Sequence, residues 1–158
     1  MQCRVFSRVK YNPDNPFRNR CEATEMNVEF LNPPGLCPTF GWTHVASVTG
    51  GKTIYISGQV AVDGRGQLVG KGDLKIQTEQ AFRNIELALA AVGATFRDVV
   101  KTSLFVVGLS ADHVPIIREV RSRFVWAEHP PVSTLVGVQA LVGPDWLIEI
   151  EAMAVLPE

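Results

Sequence analysis

The sequence predicts an α+β domain in which two helices cover one face of a sheet of about six strands. Three observations carry that expectation. Two segments repeat apolar residues at the helical period. Several shorter runs are rich in β-branched and aromatic residues. Glycine and proline punctuation separates them. The resulting order, β-hairpin, β, α, β, α, β, β, is that of an α+β domain.

The first 25 residues differ from the rest. "MQCRVFSRVKYNPDNPFRNRCEATE" carries five Arg or Lys against three acids, two Asn-Pro steps and no periodicity. It reads as a disordered arm or a start-site artefact ahead of Met26, with an RNA-binding arm as the alternative. The domain itself is expected over 26–158. "NPPGLCP" is a proline-stiffened lead-in, and "VASVTGGKTIYISGQV" is two β-rich runs around Gly50-Gly51, the pattern of a hairpin. "DGRGQLVG" adds a turn and a short strand. From Asp73 to Val92 the period becomes helical: Ala81, Phe82, Ile85, Ala88, Leu89 and Val92 form one stripe, and Gly93 stops it. "DVVKTSLFVV" is a strand. A second helix is expected from Ser110 to Val125, with Pro115 in its first turn. Strands Ser133–Leu141 and Trp146–Val155 follow, joined by Gly143-Pro144-Asp145.

Composition narrows the function classes. The chain has 158 residues, 46% hydrophobic and 20% charged, and a net charge of −1. It is long enough to bury one substantial core. That charge balance offers no field for nucleic acid or an anionic membrane. No apolar run approaches the ~18 residues of a membrane span, and no secretory signal pattern opens the chain, so a soluble cytoplasmic protein is expected. Cys3, Cys21 and Cys37 lack metal-site spacing, and His44, His113 and His129 are isolated, so neither a metal nor another cofactor is expected.

Side chains alternate faces along a strand. One set of positions is apolar throughout: Ile54, Ile56 and Val60; Val100, Leu104 and Val106; Val136 and Val138; Trp146, Ile148 and Ile150. This set is expected beneath the helices. The opposite set, including Tyr55, Ser57, Gln59, Lys101, Ser103, Ser133, Leu135, Glu149 and Glu151, is too apolar for open water and too polar for a dry core. Such a face is expected to pack against other copies of the chain and to leave small-ligand clefts between them. A half-solvated sheet in a monomer is the alternative.

Glu149 stands between Ile148 and Ile150 on the last strand. In a partly desolvated cleft it would be suited to general acid or base work. Glu151 shares its face about 7 Å away by strand geometry. An ion-paired or solvated carboxylate is the plainer reading for each. Thr43 and His44 offer a hydroxyl and an imidazole ahead of the first strand, although a lone His there is more often a capping or surface residue. Ser57 and Gln59 are candidates for ligand hydrogen bonds or interface packing. "GGKT" sits in a hairpin turn with no helix after it and is not a phosphate loop.

Taken together, "NPPGL…GWTHV", "IYISGQVAVDGRGQLVGKGDLKIQTEQAFRNIELALAAVGA", "DVVKTSLFV", "PPVSTLVGVQAL" and "IEIEAMAV" resemble the RidA/YjgF family, once labelled L-PSP endoribonucleases. The resemblance runs from about Leu31 to Val155. It implies a chorismate-mutase-like fold with a mixed sheet, and a homotrimer with three inter-subunit clefts. It also implies hydrolysis of reactive enamines or imines to 2-keto acids and ammonia. Carried over by position, it implies that Glu149 positions water and that Trp42, Ser57 and Gly58 line the pocket. Ile117 replaces a pocket asparagine.

In the family an arginine grips the substrate carboxylate two residues after the proline opening the penultimate strand. Counted from Pro131, Ser133 stands there, followed by Thr134. Losing a bidentate guanidinium contact costs about 2–5 kcal/mol, and each hydroxyl returns only about 1 kcal/mol. Efficient turnover of small imino acids would then require Arg118, Arg121 or His44 to reach in. Two readings result: a deaminase-like hydrolase, or a non-catalytic trimer binding a metabolite or a partner in the same clefts. The ribonuclease label lacks a basic stripe to support it.

Overall fold

The structure is a computed structural model and describes residues 25–158; apart from Glu25, the expected N-terminal arm lies outside the described residues. Six strands and two helices follow one another as β1 (Asn27–Leu31), β2 (Val45–Thr49), β3 (Lys52–Val60), α1 (Leu74–Ala90), β4 (Val99–Val107), α2 (His113–Arg121), β5 (Val132–Val138) and β6 (Ile148–Leu156). The main sheet has the order β3-β6-β4-β5, with β5 parallel to β4 and the other pairs antiparallel. It is therefore mixed, as expected.

β1 and β2 form an antiparallel ribbon. The ribbon meets β5 through a parallel bridge between Thr43 and Val132, reinforced by Thr43 Oγ1 donating to the Pro130 carbonyl at 2.7 Å. The strand count matches the expectation, but its membership does not. β1 is a strand that periodicity missed, since no hairpin turn joins NVEFL to a neighbouring β-rich run as Gly50-Gly51 joins β2 to β3. The short strand expected in "DGRGQLVG" is reduced to one bridge, Val62 to Leu68. The Gly50-Gly51 turn is present, with both residues at positive φ, yet β2 pairs with β1 rather than β3.

α1 begins where the sequence places it. Asp73 caps the helix by accepting from the Ile76 N–H at 3.0 Å. Gly93, at φ 75°, carries the chain away after its end. Ala81, Phe82, Ile85 and Leu89 are fully buried against Ile148, Ile150, Ala152 and Ala154 of β6 and their neighbours, whereas Val92 lies past the helix and is exposed. Phe82, Phe96 and Phe124 stack together at centroid separations of 5.1 to 6.0 Å, fixing the segment after α2 to α1. α2 is shorter than expected: turns replace helix from Ser122 onward.

Strand parity places most core residues correctly and four groups incorrectly. Trp146 precedes β6 rather than starting it, and Val60 follows a bulge that shifts its phase. Val100 is buried, but it lines a cavity beneath β1, while Val99 joins the helix-side core. On β5 the phase is reversed. Leu135 pairs with the buried Leu104 and packs on the core, and Val136 faces outward, 38% exposed.

Gln77 was hidden within the apolar period of α1. Its side chain is fully buried, and its Nε2 donates to the Gly70 and Asp145 carbonyls at 3.1 and 3.0 Å. Its Oε1 accepts from the Leu147 N–H at 2.8 Å. One amide thus holds the approach to β6 against α1. Replacing it with leucine leaves the Asp145 carbonyl and the Leu147 N–H without partners, while the Gly70 carbonyl keeps the Asp73 N–H. The Gln77→Leu variant should lose about 2–4 kcal/mol of stability, read from the midpoint of urea unfolding.

Candidate functional site

The site starts from an irregularity in β3. Ile56 pairs with Ala152 and Gln59 with Ile150, so Ser57 and Gly58 together stand opposite Glu151 alone. Such a bulge bends its strand and re-aims the side chains within it. Gly58 has a further reason to be glycine: a Cβ there would lie 2.7 Å from the Glu149 Cδ and would overlap Oε1. The Glu149 carboxyl therefore rests on the bared backbone of β3, partly buried.

Register defines the rest of this face. One cross-strand row reads Tyr55, Met153, Lys101 and Val132; the next places Glu151, Ser103 and Thr134 side by side. A third runs Val60, Glu149, Phe105 and Val136. Tyr55, Ser57, Lys101, Ser103, Glu151 and Met153 border an open depression of about 400 Å³. It holds the Lys101 cation, the Glu151 carboxylate and three hydroxyls, those of Tyr55, Ser57 and Ser103, over an apolar floor.

The opposite face carries a second constellation. Ser133 shares the helix side of the sheet with Thr102, whose hydroxyl donates to Ser133 Oγ at 3.2 Å. A cavity of about 210 Å³ there is bordered by Trp42, Leu104, Val114, Ile117, Arg118, Arg121, Ser133 and Leu135. Arg121 is buried, and desolvation, assisted by repulsion from Arg118, lowers its pKa to about 10. It still carries its charge at neutral pH.

His44 joins neither cavity. Its Nε2 pairs with the Cys37 carbonyl at 2.8 Å, its N–H donates to Asn32 Oδ1, and its ring packs edge-on to Trp42. Those contacts brace the lead-in to β2. A further cavity of about 580 Å³, between β1, Arg97, Trp126 and His129, includes none of the candidate site residues.

The described helices include none long and apolar enough to cross a membrane. The family model for endoribonuclease L-PSP matches residues 38–156, three quarters of the chain. The protein belongs to the RidA/YjgF family. Among curated RidA/YjgF relatives, 2-iminobutanoate/2-iminopropanoate deaminase of Dermatophagoides farinae is 33% identical over 106 residues, covering 67% of this chain and 80% of that one. The 3-aminoacrylate deaminase RutC of Acinetobacter baylyi is 31% identical over 122 residues, covering 77% and 90%. Among solved structures, YyfB of Yersinia pestis, a Rid-family protein of unknown function, superposes with a TM-score of 0.75 at 37% identity. That match covers 83% of this chain and all of the other.

Within this RidA/YjgF fold, the residues implied by resemblance divide between the two faces. Ser57, Gly58 and Glu149 gather on the open face, and Thr134 joins them there by register. Trp42, Ile117 and Ser133 gather beneath α2. Ser133 was expected on the open face; the reversed phase of β5 turns it inward and presents Val132, beside Lys101, in its place. Sequence spacing missed the bulge because it arises from pairing with β6. The Ser-Gly step within a β-rich run was its only local trace.

The contact between Gly58 and Glu149 has a measurable signature. Gly58→Ala should lower stability by about 1–3 kcal/mol through overpacking. Adding Glu149→Ala should recover most of that loss, a coupling that a double-mutant cycle in urea would read.

Proposed function

We propose that this protein is a hydrolase of the imine/enamine deaminase kind, working in clefts formed where the open sheet faces of three copies meet. The observation that carries the reading is the seat of Glu149: a carboxylate held on the face by a strand bulge and a glycine that leaves room for it. Bulges recur beside active sites because they position one side chain independently of the ladder. The two deaminases among the relatives support the same class of reaction.

In this reading Glu149 takes a proton from water as its oxygen attacks the imine carbon and returns it to the nitrogen as the C=N π bond opens. The carbinolamine then collapses: the hydroxyl proton passes by way of Glu149 to the nitrogen, C–N breaks, and ammonia departs as the carbonyl forms, leaving Glu149 ionised. Atoms balance as imine plus water giving carbonyl compound plus ammonia. Ser57 and Ser103 supply hydroxyls to hold the polar intermediate. Packing of copies over Tyr55, Val136 and Met153 removes bulk water from the cleft and strengthens these contacts.

Lys101 is the cation of this depression, and neither Val132 nor Ser133 supplies a guanidinium at the head of β5. An ammonium contacts a carboxylate as a point charge and lacks the arginine fork. The substrate class favoured by this face is therefore an imine whose carboxylate is absent or weakly held. The same missing fork supports the second reading, a trimer that binds a metabolite without converting it.

Freshly generated imines, with and without a carboxylate, should release ammonia and carbonyl product faster with the protein than without it. Glu149→Gln should lower the rate about 10²–10⁴-fold while leaving the oligomer intact by light scattering. A wild-type protein with no effect on either imine would end the hydrolase reading. An unchanged rate in Glu149→Gln would remove that carboxylate from it.

A further inference from the structure

Two valines are buried without joining the hydrophobic core. Val100 and Val155 are 7% and 3% exposed, and both line the cavity of about 580 Å³ beneath β1. Val28 and Phe30 of β1, half-buried, line it too. Beside these apolar groups runs a series of π contacts. Phe30 stacks with His129 at 5.9 Å, His129 meets Trp126 edge-on at 4.6 Å, and the Arg97 guanidinium lies 5.2 Å over the Trp126 ring. All four of these residues border the cavity.

The charge that remains available to this cavity is positive. Arg97 is exposed and makes no ion pair among the described residues. A guanidinium stacked on a ring uses its face, so its N–H edge stays open to an acceptor. The neighbouring acids are turned elsewhere. Asp98 accepts from the Thr95 N–H and Oγ1 at 2.8 and 3.0 Å. Glu29 alternates with Val28 and Phe30 along β1, so its carboxylate projects from the other side of the ribbon. We infer that this cavity binds a planar aromatic ring carrying one carboxylate. The carboxylate meets the Arg97 fork, and the ring lies among Val28, Phe30, Val100 and Val155.

Size, shape and charge each narrow the ligand. The volume falls within the ~300–1,000 Å³ usual for small-molecule sites. A flat ring extends the stacked and edge-on contacts that Phe30, His129 and Trp126 already make, which an aliphatic chain does not. One accessible guanidinium matches one carboxylate; a phosphate monoester would bring a second charge, and no second arginine borders this cavity among the described residues. Trp42, Ser57, Ile117, Ser133 and Glu149 all lie outside its lining, so the site is separate from both constellations above and does not rest on the hydrolase reading.

Calorimetric titration of the full chain with phenylacetate tests it, with phenylacetamide and acetate as controls lacking the charge and the ring. Phenylacetate should bind at least ~10-fold more tightly than either. Arg97→Gln, a change at an exposed position, should weaken phenylacetate at least ~10-fold at an unaltered unfolding temperature. Val28→Trp, which fills the cavity from β1, should weaken it as well, while Lys101→Gln on the open face should bind as wild type does. Failure of phenylacetate to bind, the result if another segment or a second copy fills the cavity, overturns the assignment, as does equal binding of the amide. Unchanged binding by Arg97→Gln overturns it too. So does loss of binding in Lys101→Gln, which would move the ring to the open face.

Discussion

The alternation of β6 is the constraint on which the rest of the molecule depends. This strand is the only one in the described sheet flanked by the two antiparallel partners β3 and β4, and its even-numbered residues are the floor of the core. Ile148, Ile150, Ala152 and Ala154 are all buried, and the two alanines leave depth for the large side chains of α1, Phe82 among them. Because the side-chain period is two, each core residue forces its neighbour onto the other face. Glu149, Glu151 and Met153 are therefore on the open face for the same reason that Ile148 and Ile150 are not. The carboxylates come as a consequence of the core, and a register slip would exchange them with it.

Two buried polar residues show how differently the fold treats polarity. Gln77 has all three of its described contacts on backbone groups of the loops before α1 and β6, and two of these, the Asp145 carbonyl and the Leu147 N–H, have no other partner among the described residues. It behaves as a structural tie, and nothing about it asks for a ligand. Arg121 is as inaccessible in practice but retains two unpartnered nitrogens. Buried polar groups in folded proteins are overwhelmingly satisfied, so an unsatisfied guanidinium at a cavity wall demands an explanation that Gln77 does not. The contrast separates a polar residue that completes the architecture from one that the architecture leaves waiting.

Both helices and the strands β4 and β6 were legible because their signals are local. Ala81, Phe82, Ile85 and Leu89 mark a face by themselves, and Asp73 and Gly93 mark its ends. What escaped was set by pairing between distant segments. On β5, Val136 and Val138 are as good a core stripe as Ser133 and Leu135 when the strand is read alone. The parallel register with β4, which sets Leu135 beside Leu104, decides otherwise. A Gly137 side chain would meet Leu109 Cβ at 3.1 Å, so glycine on the inward phase makes room for the loop after β4. Similarly, Ser57, Gly58 and Glu149 were each singled out, but the bulge joining them exists only in the ladder with β6.

Reversing β5 changes what its polar head signifies. Ser133 and Thr134 are adjacent in sequence and were expected to serve one pocket. In the sheet, Ser133 is tied to Thr102 on the helix side, while Thr134 stands with Ser103 on the open side. One strand thus contributes a hydroxyl to each of two unlike surroundings. The open face combines a lysine, carboxylates and hydroxyls at the surface where copies would meet; the inner pocket combines arginines with apolar walls. The charge that the head of β5 lacks is therefore present in the molecule, displaced across the thickness of the sheet. The two faces are consequently separable in this chain, because no side chain described on β5 belongs to both.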